Sequence, residues 1–252
     1  MSGHSKWSKI KNVKGANDAV KGKIFTRHAK LITIAAREGG GDPEMNPLLR
    51  MAIDHAKADN IPNANVERAI KKGTGEDKDG AQLFEVLYEG YGPGGSAILV
   101  NSLTDNKNRA LTSIRTIFNK NGGHLGESGS VAFMFERKGI IRIPCDSPSK
   151  AEEQALLAID AGADDFIFED EELEIITPPE STMAVKEVLV QNGITPESVE
   201  VTMRAKNHIE ICDIEMAQKI MHIIDLLEDD EDVSAVHSNV NIAKSVLEAM
   251  EA

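Results

Sequence analysis

Between Lys138 and Ala205 the hydrophobic period changes in a fixed order, and that order leaves few folds open. Ile141 and Ile143 alternate with Arg142, as a strand with one buried face requires. Ser147-Pro148 reads as a helix start and Gly162 as its stop. Phe166 and Phe168 mark a second strand, and Leu173, Ile175 and Thr177 alternate with Glu174 and Ile176 in a third. Ser181 caps a helix through Val185, Val188 and Leu189 that Gly193 ends. Val199, Val201 and Met203 alternate with Glu200 and Thr202 in a fourth strand. The order is βαββαβ, which predicts a ferredoxin-like split sheet over residues 138–205.

The flanks read differently. Ile24, Phe25, Leu31, Ile32 and Ala35 recur at helical spacing until Gly39, Gly40 and Gly41 stop them. Asn46-Pro47 starts a second helix with Leu49, Ala52, Ile53 and Ala56 inward, and Pro62 opens a third through Val66, Ala69 and Ile70. Residues 1–75 are therefore a basic arm plus a three-helix domain, followed by the polar linker Gly75 to Gly80. Strands are expected at Leu83 to Tyr88, Ala97 to Leu103 and Val131 to Phe135. A helix capped by Asn106, with Leu111, Ile114, Ile117 and Phe118 inward, lies among them. After Ala205, Asp213 caps a helix with Met216, Ile220, Ile224 and Leu227 inward, and Val233 to His237 forms a strand. These pieces complete one α/β domain from 81–137 with 206–240, and 241–252 is a C-terminal tail that reads as a short helix. The expected class is α+β: an N-terminal helical domain followed by two α/β sandwich domains, one ferredoxin-like and inserted in the other.

Charge points to a partner. From Met1 to Arg37 there are nine cations against the single acid Asp18, a net +8 in a chain of −13, which leaves −21 for the rest. A cationic arm on an acidic body suits a polyanion, most often nucleic acid. The candidate contacts are Lys6, Trp7, Lys9, Lys11, Lys14, Lys21, Lys23, Arg27 and Lys30, with Trp7 able to stack on a base or pin the arm. A second basic surface is the outer face of the helix after Asn106, where Lys107, Arg109, Arg115 and Lys120 have no acid between them. Lysine on flexible backbone neutralises phosphate and reads little sequence.

Signs of catalysis are missing. Gly92-Pro93-Gly94-Gly95-Ser96-Ala97 fits a dinucleotide string but runs into a strand instead of a helix, so it reads as a hairpin turn. Lys71-Lys72-Gly73-Thr74-Gly75 lacks the order of a phosphate loop, and Gly126-Glu127-Ser128-Gly129-Ser130 lacks the last glycine of a nucleophile elbow. None of the seven histidines pairs with a cysteine at zinc spacing, so no metal or cofactor is expected. Cys145 and Cys212 are far apart, as in a reduced cytosolic protein. No apolar run approaches ~18 residues, so no membrane span is expected, and no apolar run follows the basic start as in a secretory signal. His124 with Glu127 is the one pair that offers an acid–base reading in a cleft.

Several long motifs carry a resemblance. Gly3-His4-Ser5-Lys6-Trp7 opens it, the run Lys21 to Arg50 follows, then Arg68 to Gly75, Tyr88 to Gly95, Leu103 to Arg109 and Gly122 to Phe135. With these the chain resembles the YebC/PmpR proteins, a family that also includes the mitochondrial translational activator of cytochrome c oxidase subunit one. The C-terminal third matches more loosely, in length and pattern. The resemblance implies three domains with a cleft between them and a non-enzymatic cytoplasmic protein. Members have been labelled DNA-binding transcriptional regulators, and others act at the ribosome on difficult stretches such as consecutive prolines. It carries over the basic N-terminal region and no catalytic residue. One departure is Thr26-Arg27-His28, which puts a polar His28 where an apolar residue is usual.

The expected function is therefore a nucleic-acid-binding regulator of gene expression, with a ribosome- or RNA-associated translation factor as the alternative. No small-molecule substrate is expected, and the chain is expected to be a monomer. Against sequence-specific DNA reading stands the lack of a helix-turn-helix whose second helix carries Arg, Asn or Gln for base edges. Against an RNA-recognition sheet stands the lack of the aromatic RNP pattern of such a sheet: the split-sheet strands carry Ile, Val and Glu.

Overall fold

The computed structural model describes residues 18–76 and 83–251. The candidate contacts Lys6, Trp7, Lys9, Lys11 and Lys14, and the polar linker after Glu76, lie outside the described residues. The chain divides into two compact units, one of them Phe135–Lys206 and the other built from the stretches on either side.

The flanking unit begins with α1 (Asp18–Gly39), α2 (Pro47–Ala58) and α3 (Asn63–Thr74). Ile32, Ala35 and Ala36 of α1 meet Leu49, Ile53 and Ala56 of α2 and Val66 and Ala69 of α3 in one apolar core. Asn46 joins two helix ends. Its side-chain oxygen accepts from the Leu49 N–H, and its Nδ2 donates to the carbonyls of Ala35 and Gly40 at 2.8 Å. Orphan groups at the end of α1 and the start of α2 are thus satisfied by one side chain. Gly73 lets α3 cross α1 closely, since a Cβ there would stand 2.5 Å from the Thr33 carbonyl oxygen.

The same unit continues with β1 (Phe84–Tyr91), β2 (Ala97–Thr104), α4 (Lys107–Lys120) and the two-residue β3 (His124–Leu125). Its C-terminal stretch supplies β8 (Ile209–Ile211), α7 (Ile214–Glu228), β9 (Val233–Ser238), β10 (Val240–Ile242) and α8 (Lys244–Glu251). The sheet order is β3-β1-β2-β9, every pair antiparallel, with Ile98 opposite Ser238. Val100 of β2, Ile114 and Phe118 of α4, Ile220 and Ile224 of α7, and Val246 and Leu247 of α8 share one core. The C-terminal segment is the short helix expected, and its apolar face is buried in this core. Asn106 and Asp213 cap α4 and α7 through their carboxamide and carboxylate oxygens. The parallel pair β8–β10 has three residues per strand, too short to leave a period in the sequence.

The second unit holds β4 (Phe135–Pro144), α5 (Pro148–Asp160), β5 (Asp165–Glu169), β6 (Glu172–Thr177), α6 (Thr182–Gln191) and β7 (Ser198–Ala205). Its sheet order β5-β6-β4-β7 is antiparallel throughout, the ferredoxin-like arrangement. Ile141, Leu173, Ile175, Val185 and Leu189 are all fully buried. Two local expectations fail here. Ser181 makes no side-chain cap and has α-region angles, while the Thr182 hydroxyl lies within 3.0 to 3.2 Å of the carbonyls of Pro179 and Pro178. Val131 to Phe135 is not a strand: Ala132–Met134 is a 3-10 turn and β4 starts at Phe135.

Candidate nucleic-acid interface

The reason for that missing strand is Glu89. It is 5% exposed on β1, and its carboxylate accepts the backbone N–H groups of Gly129, Val131 and Ala132 at 2.6, 2.8 and 2.7 Å. Donors tied to a carboxylate cannot join a β-ladder. Burial alone would raise the Glu89 pKa, but the three N–H bonds outweigh it and hold the group below the ordinary carboxylate value. The glycine-rich loop is thereby fixed to the sheet, with the Tyr91 hydroxyl donating to the Ser130 carbonyl at 2.8 Å and the His124 ring stacked on Tyr91. The sequence gives no sign of this role for Glu89, which sits among exposed-looking residues of an amphipathic strand.

The basic candidates separate sharply. Lys21 and Lys23 fall on α1, their side chains outside the described residues, and Arg27 is exposed on the same helix. Lys30 points inward: its ammonium nitrogen is buried with no hydrogen-bond partner. Desolvation lowers its pKa against the opposing pull of Asp232, Asp230 and Glu231. A cation placed there cannot neutralise a phosphate at the surface. His28, the departure from the apolar pattern, is 8% exposed and its Nε2 lies 2.6 Å from Asp59 Oδ2, which accommodates a polar ring in the helical core.

On α4 the four cations have different fates. Arg109 is held by Asp232 at 2.7 and 2.8 Å and by Asp105 at 2.8 Å, so its charge is consumed within the protein. The Lys107 ammonium sits 4.4 Å from the centroid of the Phe84 ring, a cation–π contact that still leaves the residue exposed. Arg115 and Lys120 are exposed and in no ion pair among the described residues. Spacing cannot reveal the Arg109 partner, because Asp232 is 123 residues away.

A groove of about 440 Å³ opens beside α4, lined by Leu87 and Tyr88 of β1, Leu111 and Arg115 of α4, and the loop from Leu125 to Ser128. In the ferredoxin-like unit the sheet is no base-stacking platform. Arg142 is surrounded there by Glu172, Glu174 and Glu200 at 3.7, 3.5 and 2.5 Å. Among the described residues no three metal-ligating side chains gather, and no helix is long and apolar enough to cross a membrane.

Family models match nearly the whole chain: the TACO1/YebC protein N-terminal domain over residues 5–76, and the TACO1/YebC second and third domain over residues 83–240. The chain belongs to the TACO1/YebC family. Relatives within TACO1/YebC are named probable transcriptional regulatory proteins. One from Thermoanaerobacter pseudethanolicus is 53% identical over 96% of this chain and 98% of its own length. Another, from a Sulfurihydrogenibium species, is 51% identical over the full length of both. The crystal structure of a conserved hypothetical protein from Aquifex aeolicus is 42% identical, covers 92% of this chain and 96% of its own, and superposes with a TM-score of 0.80.

Proposed function

We propose that this TACO1/YebC protein is a non-enzymatic, monomeric, cytoplasmic regulator of gene expression that binds nucleic acid through its basic N-terminal region and α4. The observation that carries the reading is the charge asymmetry, +8 up to Arg37 on a chain of −13. An acidic body repels nucleic acid everywhere except at its basic surfaces, which confines contact to them. The names of the relatives favour DNA and transcription. A specific feature favours RNA and translation as the second reading. α3, the last helix of its domain, has Arg68, Lys71 and Lys72 as exposed cations, a phosphate-directed set, and Asn63 at its first position as its one exposed carboxamide.

The test is fluorescence anisotropy of the full chain and a chain lacking residues 1–22, on duplex DNA and structured RNA across salt. If the arm engages about six phosphates, affinity falls by roughly three decades between low and moderate salt, and the truncated chain loses most of that dependence. Equal affinity for promoter and scrambled duplex would count against sequence-specific transcription control. Co-sedimentation with ribosomes, lost on RNase, would establish the translation reading; unchanged binding without residues 1–22 would overturn the role of the arm.

A further inference from the structure

The groove beside α4 has a chemistry of its own. Residues of α4 that point away from the core are Asn108, Thr112, Arg115, Thr116 and Asn119, all exposed. At 100° per residue they form one stripe, because 108, 112, 115 and 119 are spaced by four, three and four. The stripe contains no acid. Its residue types are those that contact phosphate, ribose and base edges. The Thr112 and Thr116 hydroxyls donate to the carbonyls of Asn108 and Thr112, which leaves their oxygens as acceptors toward solvent.

Arg115 belongs both to this stripe and to the groove wall. The groove floor is Leu87, Tyr88, Leu111 and Leu125, an aliphatic slot with one aromatic ring. Its volume of about 440 Å³ lies within the range of small-ligand pockets, ~300–1,000 Å³. Leu87 is 46% exposed, a large apolar side chain left open beside a cation. The Glu89 carboxylate on the same wall is bonded to three backbone N–H groups, so it presents little negative charge to an incoming anion. The remaining acid, Glu127, is exposed on the loop side of the groove.

We propose that this groove takes one unpaired nucleotide: its base between Leu87, Tyr88 and Leu111, its phosphate on Arg115, and the continuing strand along the Asn108–Asn119 stripe. The inference rests on the nucleic-acid reading above and deepens it from phosphate contact to single-strand recognition. A paired base cannot enter, since its faces are occupied by stacking. The acid at Glu127 repels phosphate and accepts from an exocyclic amine, so it fixes the direction of the nucleotide and favours cytosine, adenine or guanine over uracil or thymine. RNA and DNA single strands share this chemistry. The acceptor oxygens of Thr112 and Thr116 add contacts to a 2′-hydroxyl where the strand is RNA.

The test uses the full chain and 5′-fluorescein 12-nucleotide single strands of one mixed sequence, as RNA and as DNA, with the matching duplexes. The expected result is at least tenfold tighter binding of single strand than duplex at moderate salt. Arg115→Ala and the groove-filling Leu87→Trp each weaken single-strand binding about tenfold, while Lys219→Ala, an equal loss of charge on α7, leaves it unchanged. Photo-cross-linking of a 5-iodocytidine strand places the adduct on the peptide containing Leu87 and Tyr88. Thermal unfolding of each variant checks that it is folded. A wild-type chain that binds no strand and no duplex overturns the nucleic-acid reading and the groove with it. A wild-type chain that binds while Arg115→Ala and Leu87→Trp bind equally well, with adducts elsewhere, overturns the groove alone. The RNA-to-DNA affinity ratio identifies the strand the site prefers.

Discussion

Arg109 and Asp232 face each other as a two-point pair, with Nε 2.8 Å from one carboxylate oxygen and Nη2 2.7 Å from the other. Asp232 is 4% exposed, and its backbone carbonyl also accepts the Ser102 hydroxyl and the Leu103 N–H. The pair thus ties the start of α4 to the turn before β9. Burial would raise the Asp232 pKa, but Arg109 and Thr104 bonds bring it below the ordinary carboxylate value. The stabilisation is therefore present above the unfolded value of about 3.9 and lost as pH falls through the lower folded value. Asp232→Ala should cost about 1–3 kcal/mol at neutral pH and flatten the acid limb of a urea-midpoint profile. A variant with an unchanged midpoint would refute the structural role of the pair.

Glu89 gives a second acid-sensitive element. Its folded pKa is also lowered, so its contribution likewise disappears only below the unfolded carboxylate range of about 4.3. Glu89→Gln places an amide NH₂ against backbone donors and should cost about 1–3 kcal/mol. Amide hydrogen exchange at Gly129, Val131 and Ala132 should rise in this variant. Protection unchanged at those three sites would show that the loop is held by something else.

Lys30 distinguishes an inward cation from a phosphate contact. Lys30→Met removes a buried ammonium without a hydrogen-bond partner, and methionine fills a similar space. Nucleic-acid affinity should stay the same, whereas Arg27→Ala, at an exposed position of α1, should weaken it modestly. Because desolvation depresses the Lys30 pKa, its cost is full below the folded value and fades as pH rises toward ~10.4. The methionine variant should therefore unfold at higher urea than the parent at pH 7. Loss of affinity in Lys30→Met would put the ammonium back at the surface.

Gly73→Ala tests the α1–α3 crossing. The added Cβ would meet the Thr33 carbonyl at 2.5 Å and the Ala36 methyl at 2.7 Å, neither on a flexible side chain. Overpacking of this kind costs about 1–3 kcal/mol, read as a lower thermal midpoint. Gly40→Ala has open space around its Cβ but a φ of +86°, so any loss there is backbone strain alone.

The α+β class and the βαββαβ order were legible because their signals are local: Ile141 and Ile143 about Arg142, Asn46 before Pro47, Asp213 before its helix. The misreadings have one cause. Val131 and Ala132 look like a strand until Glu89 takes their N–H groups from forty-two and forty-three positions away. Lys30 and Arg109 look like equal members of basic faces until packing buries the first and an acid distant in sequence claims the second. Val246 and Leu247 belong to a helix of eight residues at the end of the chain, and only the assembled core shows that they are buried. Charge and periodicity describe what a residue offers; long-range partners decide where it is used.

The pairing of β2 with β9 sets an order of events during synthesis. β2 needs Val233–Ser238 as its outer neighbour, and the core beneath it needs Leu247. While the intervening unit from Phe135 to Lys206 is already able to close on itself, the sheet around β2 waits with a bare edge until the last few residues have emerged. A nascent chain stalled before residue 233 thus carries β2 with one edge unpaired, the kind of edge that can template pairing with another chain.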